Sequence, residues 1–237
     1  MSEKIKRVML KLSGEMLGGT KDGGIDEDAI LSIAGEIATT AKDGYEVAVV
    51  IGGGNFFRGT LAEKFGMERA SADYMGMLGT CINGLALQAV LENQFHVETR
   101  VMTAIKMTEL AEAYIRRKAI KHLDKGRVVI LAGGTGNPLF TTDTAASLRA
   151  LELNAEMILK GTKVDGIYDS DPHKNPEAVK FDNLTYIDVI AKNLRVMDAT
   201  AITMCMEARM PIKVFKLAGN GSVLNALKSD NIGTTVR

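Results

Sequence analysis

From Arg127 to Asp143 the chain reads Arg-Val-Val-Ile-Leu-Ala-Gly-Gly-Thr-Gly-Asn-Pro-Leu-Phe-Thr-Thr-Asp, and few backbones are open to such a stretch. Val128 to Leu131 is an apolar, β-branched run of the kind buried on both faces of a parallel sheet. Three glycines within four residues then free the backbone. Pro138 blocks an early helix, and Thr141, Thr142 and Asp143 supply the side chains that cap a later one. A strand, a glycine turn and a capped helix leave backbone N–H groups at a helix N-terminus, where α/β proteins hold phosphates. The stretch predicts a phosphate-binding loop.

The same grammar recurs along the chain. Val8 to Leu12 reads as a buried strand whose one charge, Lys11, must either snorkel out or be paired, because a lone buried ammonium is costly. Both a solvent-seeking lysine and one aimed at phosphate satisfy that condition. Glu46 to Ile51 is a second buried strand, running into Gly52-Gly53-Gly54-Asn55 and then Arg58. A third spans Thr99 to Met102, and Met157 to Leu159 another, with Lys160 at its exit beside Gly161. Between them lie helical patterns: Ile30, Ile33, Ala34, Ile37 and Ala41 after Asp26, ended by Gly44; a long helix from Ala72 to Gln94; one from near Thr108; and one after Asp143. Arg116, Arg117, Lys118 and Lys121 read as a solvated face. Asp169 to Pro176 is a polar loop. A short strand at Leu184 to Tyr186, helices over Ile187 to Lys192 and Asp198 to Ala208, a strand at Ile212 to Phe215, a helix from Ser222 and a strand at Gly233 to Val236 follow. Strands separated by helices predict an α/β fold, a three-layer α/β/α sandwich with a mainly parallel sheet, formed by one domain over residues 1–237.

Two familiar nucleotide motifs fail. Gly14 and Gly19 have Walker A spacing, but Thr20 stands where that motif needs lysine and Lys21 where it needs Ser or Thr. A dinucleotide fingerprint starting at Gly52 and Gly54 meets Phe57 at its third glycine. In the long helix, Gly76, Gly79 and Gly84 each cost about 1 kcal/mol relative to Ala. Such glycines suit close packing in a core or subunit interface, or the approach of a ligand. Asp73 near its start is either a first-turn acid favoured by the helix dipole or an acceptor for ligand hydroxyls.

Composition narrows the partners. Lys plus Arg and Asp plus Glu are both 29 among 237 residues, which argues against nucleic acid or an anionic membrane as the main partner. Cys81 and Cys205 lie far apart and read as reduced core thiols; His96, His122 and His173 have no zinc-ligand spacing. The N-terminus lacks the apolar core of a signal peptide, and no apolar run approaches the roughly 20 residues of a spanning helix. A soluble, cytoplasmic protein is expected.

Four loops fall at the carboxyl ends of strands: Lys11 to Gly14, Gly52 to Arg58, Gly133 to Asp143 and Lys160 to Gly166. They offer amides, two lysines, an arginine and an aspartate but no activated Ser, Cys or His. That inventory suits phosphoryl transfer, in which positioning and charge stabilisation carry most of the catalysis. Mg²⁺ needs only one or two carboxylates besides phosphate oxygens. Lys160 gains a charge-stabilising role on these grounds, and Asp143 one in placing Mg²⁺ or orienting phosphates.

Taken in order, Lys11-Leu-Ser-Gly-Glu15, Ile51-Gly-Gly-Gly-Asn55 with Arg58-Gly59, Asp73-x-x-Gly-Met77, Gly134-Thr-Gly-Asn-Pro138 with Thr141-Thr142-Asp143, and Lys163-Val-Asp-Gly166 resemble the bacterial UMP kinases of the amino acid kinase superfamily. The match runs almost end to end. The resemblance implies ATP- and Mg²⁺-dependent conversion of UMP to UDP in pyrimidine nucleotide synthesis. It implies an acceptor-binding part over about 1–155 and an ATP-binding part over about 156–237. By position, Lys11, Leu12, Ser13, Gly14, Gly54 and Arg58 would lie against the phosphates, and Thr162, Tyr168 and Asp171 would hold the adenine nucleotide. UMP would be held by Gly53, Asp73, Thr135, Gly136, Asn137, Pro138, Leu139, Phe140, Thr141 and Thr142. Lys11 would neutralise charge on the transferred group. Asp198 matches the family as a catalytic residue and reads equally as a helix cap. The resemblance also implies a homohexamer with GTP as activator and UTP as inhibitor, GTP acting through Gly19, Thr20, Lys21, Asp22, Gly23 and Gly24. The competing readings are a kinase for a carboxylate or carbamate acceptor, a non-catalytic nucleotide-binding protein, and a nicotinamide dehydrogenase. Asp73 and Thr135 to Thr142 favour a nucleotide over the first, the lysine, arginine and aspartate set disfavours the second, and the missing fingerprint the third.

Overall fold

The computed structural model describes residues 5–19, 23–194, 196–219 and 221–237. Thr20, Lys21 and Asp22, half of the expected regulatory segment, lie outside the described residues. In chain order the elements are β1 (Arg7–Leu12), α1 (Gly14–Leu17), α2 (Glu27–Lys42), β2 (Glu46–Ile51), α3 (Gly59–Lys64), α4 (Arg69–Asn93), β3 (Thr99–Thr103), β4 (Glu112–Ala113), α5 (Arg116–Leu123) and β5 (Val128–Ala132). There follow α6 (Thr142–Glu152), β6 (Met157–Thr162), β7 (Ile167–Tyr168), β8 (Lys180–Phe181), β9 (Asn183–Leu184), α7 (Tyr186–Ala191), α8 (Ala199–Ala208), β10 (Ile212–Lys216), α9 (Ser222–Lys228) and β11 (Thr234–Val236).

Among the described residues, nine strands form one sheet in the order β4-β3-β5-β2-β1-β6-β10-β11-β9. Its described pairs are parallel except β10 with β11. β7 and β8 pair as a separate antiparallel ribbon around the polar loop at Asp169 to Pro176. Alternate residues of each central strand feed two cores. Val8, Leu10 and Leu12 of β1 pack with Val47, Val49 and Ile51 of β2 against Ile37 of α2, Leu87 of α4 and Val223 of α9. Met9, Ala48 and Val50 pack the other way, against Ala119 of α5, Ala146 of α6 and Ile202 of α8. A sheet buried on both faces has no polar side, which is why its strands read as continuous apolar runs. The expected α/β/α sandwich is the fold.

Three details differ from the sequence reading. No helix starts near Thr108: α5 begins at Arg116, after the two-residue edge strand β4. Tyr186 opens α7 instead of closing a strand, because Thr185 and Asp188 form a capping box that starts the helix there. Lys160 is interior to β6, since pairing with β10 extends the strand to Thr162. The long helix also departs from expectation. At 25 residues, with a mean hydropathy of 1.3 over its most apolar window, α4 is by length and composition apolar enough to cross a membrane. Its buried side, with Met77, Cys81, Leu87 and Leu91, packs against the sheet as a core helix does. The apolar stripe at Met75, Leu78 and Ile82 faces outward.

Candidate active site

Lys11 and Lys160 are paired in register on the adjacent strands β1 and β6, so both side chains leave the same face of the sheet. Helix α6 lies over that face. Thr141 caps it by accepting from the amides of Asp143 and Thr144, which fixes Asp143 in the first turn, where the helix dipole favours a carboxylate. The three side chains meet: Asp143 Oδ1 is 2.7 Å from Lys11 Nζ, and Oδ2 accepts from Lys160 Nζ at 2.9 Å. All three are largely buried, with side-chain exposures of 10% for Lys11, 16% for Asp143 and 15% for Lys160. Lys160 also donates to the Val196 carbonyl. Asp143 Oδ1 is held to Lys11 by the ion pair, without a hydrogen bond of good geometry. The cluster carries a net charge of about +1.

Burial pushes the Asp143 carboxyl up, but the two ammoniums outweigh it and hold the group below the ordinary carboxylate range. Burial, and then the Lys11 charge, draw the Lys160 ammonium below the usual lysine value, against the pull of Asp143 and Asp198. Asp198 caps α8 through the Ala201 amide at 2.8 Å and accepts from both Thr141 and Thr144, the latter at 2.8 Å. Its carboxylate is thereby committed to the two threonines at the head of α6. In this arrangement it holds the helix that carries Asp143.

A cavity of about 650 Å³ opens beside the cluster, lined by Gly53 and Gly54, by Asp73, Gly76 and Thr80 of α4, and by Phe140, Thr141 and Thr142. A second, of about 510 Å³, is lined by Lys160, Thr162, Tyr168, Asp171, Leu194 and Val196 among others. Thr142 borders the first and Lys160 the second, with Asp143 linking them. Of the residues expected around UMP, Gly53, Asp73, Phe140, Thr141 and Thr142 line the first cavity. Thr135 to Leu139 form the loop beyond its rim. That loop is tied back by the Leu139 amide, which donates to Asp73 Oδ2 at 2.7 Å, while Arg69 Nε approaches Asp73 at 3.3 Å. Thr162, Tyr168 and Asp171 all line the second cavity.

Leu12, Ser13 and Gly14 lead from β1 into α1, and Gly14 packs on the glycine loop after β2 so closely that an added Cβ would be 2.5 Å from the Gly52 carbonyl oxygen. Arg58 lies outside both cavities, donating to the Gly54 carbonyl at 3.2 Å and 3.6 Å from Glu15. Gly19, with φ +58°, packs on Asp26, and Gly24 is held by Asn55. The three helix glycines divide the two roles expected of them. Gly79 abuts Gly53 and Gly84 abuts Ile130, whereas a Cβ at Gly76 would meet nothing within 4 Å, so Gly76 leaves space for the cavity it lines. Arg69, Thr80 and Leu194 carry no motif in the sequence; the polar spacing of Arg69 and Asp73, one helical turn apart, is the one available signal for the first. Among the described residues no group of three or more His, Cys, Asp or Glu is arranged to hold a metal. The cluster does fit a Mg²⁺ ligated mainly by phosphates, because one carboxylate with an unaligned oxygen is then enough.

The amino acid kinase family pattern matches residues 6–216. A UMP kinase from Bacillus anthracis is 40% identical, with a TM-score of 0.96 over 99% of this chain and 97% of that one. A UMP kinase from Ureaplasma parvum is 38% identical, with a TM-score of 0.92 over 98% of each. A uridylate kinase from Archaeoglobus fulgidus is 25% identical, with a TM-score of 0.75 over 97% and 99%.

Proposed function

As this chain belongs to the amino acid kinase family, we propose that it transfers the γ-phosphoryl group of ATP to UMP, giving ADP and UDP, in pyrimidine nucleotide synthesis. The observation that carries the reading is the buried Lys11–Asp143–Lys160 cluster, with Lys160 lining one cavity and Thr142, the neighbour of Asp143, lining the other, each large enough for a nucleotide. The identity to two UMP kinases over nearly full length supports UMP as acceptor. UMP takes the cavity bordered by Gly53, Asp73 and Thr142, held by the loop from Thr135 to Thr142. ATP takes the cavity of Thr162, Tyr168 and Asp171. The domain is single, with an acceptor part over about 1–155 and a donor part over about 156–237.

A phosphate oxygen of UMP attacks the γ-phosphorus as the bond to the ADP oxygen breaks. Lys11 neutralises the equatorial oxygens, where charge accumulates, and Lys160, held on Asp143, adds its positive charge to the site without leaving that carboxylate. The amides of Gly14, Gly53 and Gly54 face the phosphates, and Arg58 turns toward them from its place over Gly54. Asp143 would hold a Mg²⁺ carried with ATP, and the ion would supply further charge neutralisation at the phosphates. Asp198 acts through Thr141 and Thr144, keeping the head of α6 in place.

The outward stripe on α4, with Met75, Leu78 and Ile82 each at least 40% exposed, supports a homo-oligomer, of which the hexamer is the proposed form; a monomer by light scattering at micromolar concentration would refute it. GTP activates through Gly19 to Gly24, a segment clamped at Gly24 to Asn55, which follows the Gly52 to Gly54 loop, and UTP inhibits; a rate indifferent to both would remove this part. The buried free thiols of Cys81 and Cys205 support a reducing, cytoplasmic setting. The main test is ADP release from ATP and Mg²⁺ with UMP, CMP, carbamate or acetylglutamate offered in turn. UMP should give the highest kcat/KM, and a folded sample without UMP-dependent turnover would sink the proposal.

A further inference from the structure

Asn83 lies in the middle of α4, on the side facing the sheet, and is wholly buried. An amide there is costly unless its hydrogen bonds are made. Its Nδ2 donates to the Gly52 carbonyl at 2.8 Å and to Asn55 Oδ1 at 2.7 Å, and its Oδ1 accepts from Asn55 Nδ2 at 2.9 Å. Asn55 in turn donates to the Gly24 carbonyl at 2.7 Å and accepts from the Gly24 amide at 3.0 Å. The pair thus joins α4, the glycine loop after β2 and the turn at Gly24.

The bond to Gly52 has a directional consequence. In a trans peptide the carbonyl and the following N–H point opposite ways. Pinning the Gly52 oxygen toward α4 therefore turns the Gly53 N–H away from α4. The next peptide is pinned as well, since the Gly53 oxygen accepts from the amides of Phe56 and Phe57 at 3.0 and 3.1 Å. Among the described residues no hydrogen bond uses the Gly53 or Gly54 amide, and both residues line the acceptor cavity. We infer that Asn83 is a positioning residue that aims these amides at the acceptor's phosphate. The inference rests on the UMP kinase reading.

Asn83→Asp keeps the shape but sets a carboxylate oxygen against the Gly52 carbonyl. Asn83→Ala removes the bond without adding charge and serves should the first variant not fold. For each, UMP and uridine binding are compared by calorimetry and kcat is measured with ATP. The expected result is a loss of at least about tenfold in UMP affinity or kcat, since misplacement by about 1 Å can cost 10²-fold, with uridine affinity nearly unchanged. A buried polar residue with only a packing role would lower UMP and uridine binding together, and that outcome overturns the inference, as does N83D with wild-type kcat/KM. Wild-type protein without UMP turnover overturns the kinase reading and the inference with it, whereas wild-type turnover equalled by both variants overturns the inference alone.

Discussion

Replacing Asp143 and replacing Lys11 should separate stability from turnover. The cluster holds one carboxylate between two ammoniums at 2.7 and 2.9 Å. Asp143→Asn removes the only anion and leaves two buried like charges. Lys11→Met leaves a neutral Asp143–Lys160 pair and relieves the burial of one ammonium. Removing one partner of a buried ion pair costs about 3–5 kcal/mol. Asp143→Asn belongs at the lower end, about 3 kcal/mol, because both lysine side chains keep 10–15% exposure and so some water. At about 2–4 °C per kcal/mol for a chain of this size, the thermal midpoint should fall by about 6–12 °C. Lys11→Met should stay within about 1 kcal/mol of the parent, since Asp143 keeps Lys160 as its partner, so no buried charge is left unpaired, and the repulsion between the two ammoniums is removed. Its kcat should nonetheless fall about 10²–10³-fold, the usual effect of removing one group that stabilises transition-state charge, with UMP affinity little changed. Scanning calorimetry without nucleotide, together with a coupled ADP assay, measures both quantities. Equal midpoint losses in the two variants, or a fully active Lys11→Met, would refute the charge accounting.

Because burial and Lys11 lower the Lys160 pKa from 10.5, turnover that needs its ammonium is lost as pH rises through a value below 10.5. Lys160→Arg, charged throughout, should shift that alkaline limb upward; an unchanged limb would assign it elsewhere. The linked stability has the opposite sign: between the lowered folded pKa and 10.5 the unfolded chain binds the extra proton, so this group's contribution rises with pH. Asp143 works in acid, its stabilisation complete above about pH 4 and lost as pH falls through its depressed folded pKa. Gly76→Ala should raise stability by up to about 1 kcal/mol through helix propensity, because the added Cβ meets nothing within 4 Å, while raising the KM for UMP by narrowing the cavity. Gly53→Ala should instead destabilise, its Cβ lying 2.3 Å from the Gly76 carbonyl oxygen; matching midpoints by thermal denaturation would contradict both.

What the sequence disclosed was local. The strand runs at Val8 to Leu12, Glu46 to Ile51 and Val128 to Leu131 and the Thr141 and Asp198 caps follow from short-range rules, and each is where the spacing put it. The meeting of Lys11, Asp143 and Lys160 was not legible as geometry, because it depends on the β1–β6 register and on how α6 docks. The same limit hid the contacts of Asn83 and Val196, which reach 31 and 36 residues along the chain. Asp198 looked ambiguous for a related reason: its cap is local, but its bond to Thr144 spans 54 residues. On α4 the difficulty was one of face. Its outer stripe of Met75, Leu78 and Ile82 is as apolar as a core stripe, and the buried side owes its close packing to Gly79 and Gly84, which hydrophobic periodicity does not register.

The two lysines are held unequally, and this decides which of them can turn to a phosphate. Lys160 donates to Asp143 Oδ2 and to the Val196 carbonyl, two directional bonds. Lys11 has an ion pair with Asp143 Oδ1 at 2.7 Å that is not an aligned hydrogen bond. A phosphate competing for Lys11 displaces one non-directional contact, whereas competing for Lys160 breaks two hydrogen bonds and strands a carbonyl. Lys11 should therefore leave Asp143 for the transferred group while Lys160 stays as its counter-ion, which frees Oδ1 for a metal carried by the nucleotide. A crystal structure with UMP and an unreactive ATP analogue tests this directly. Finding Lys160 on the phosphates with the Lys11–Asp143 contact intact would refute the assignment.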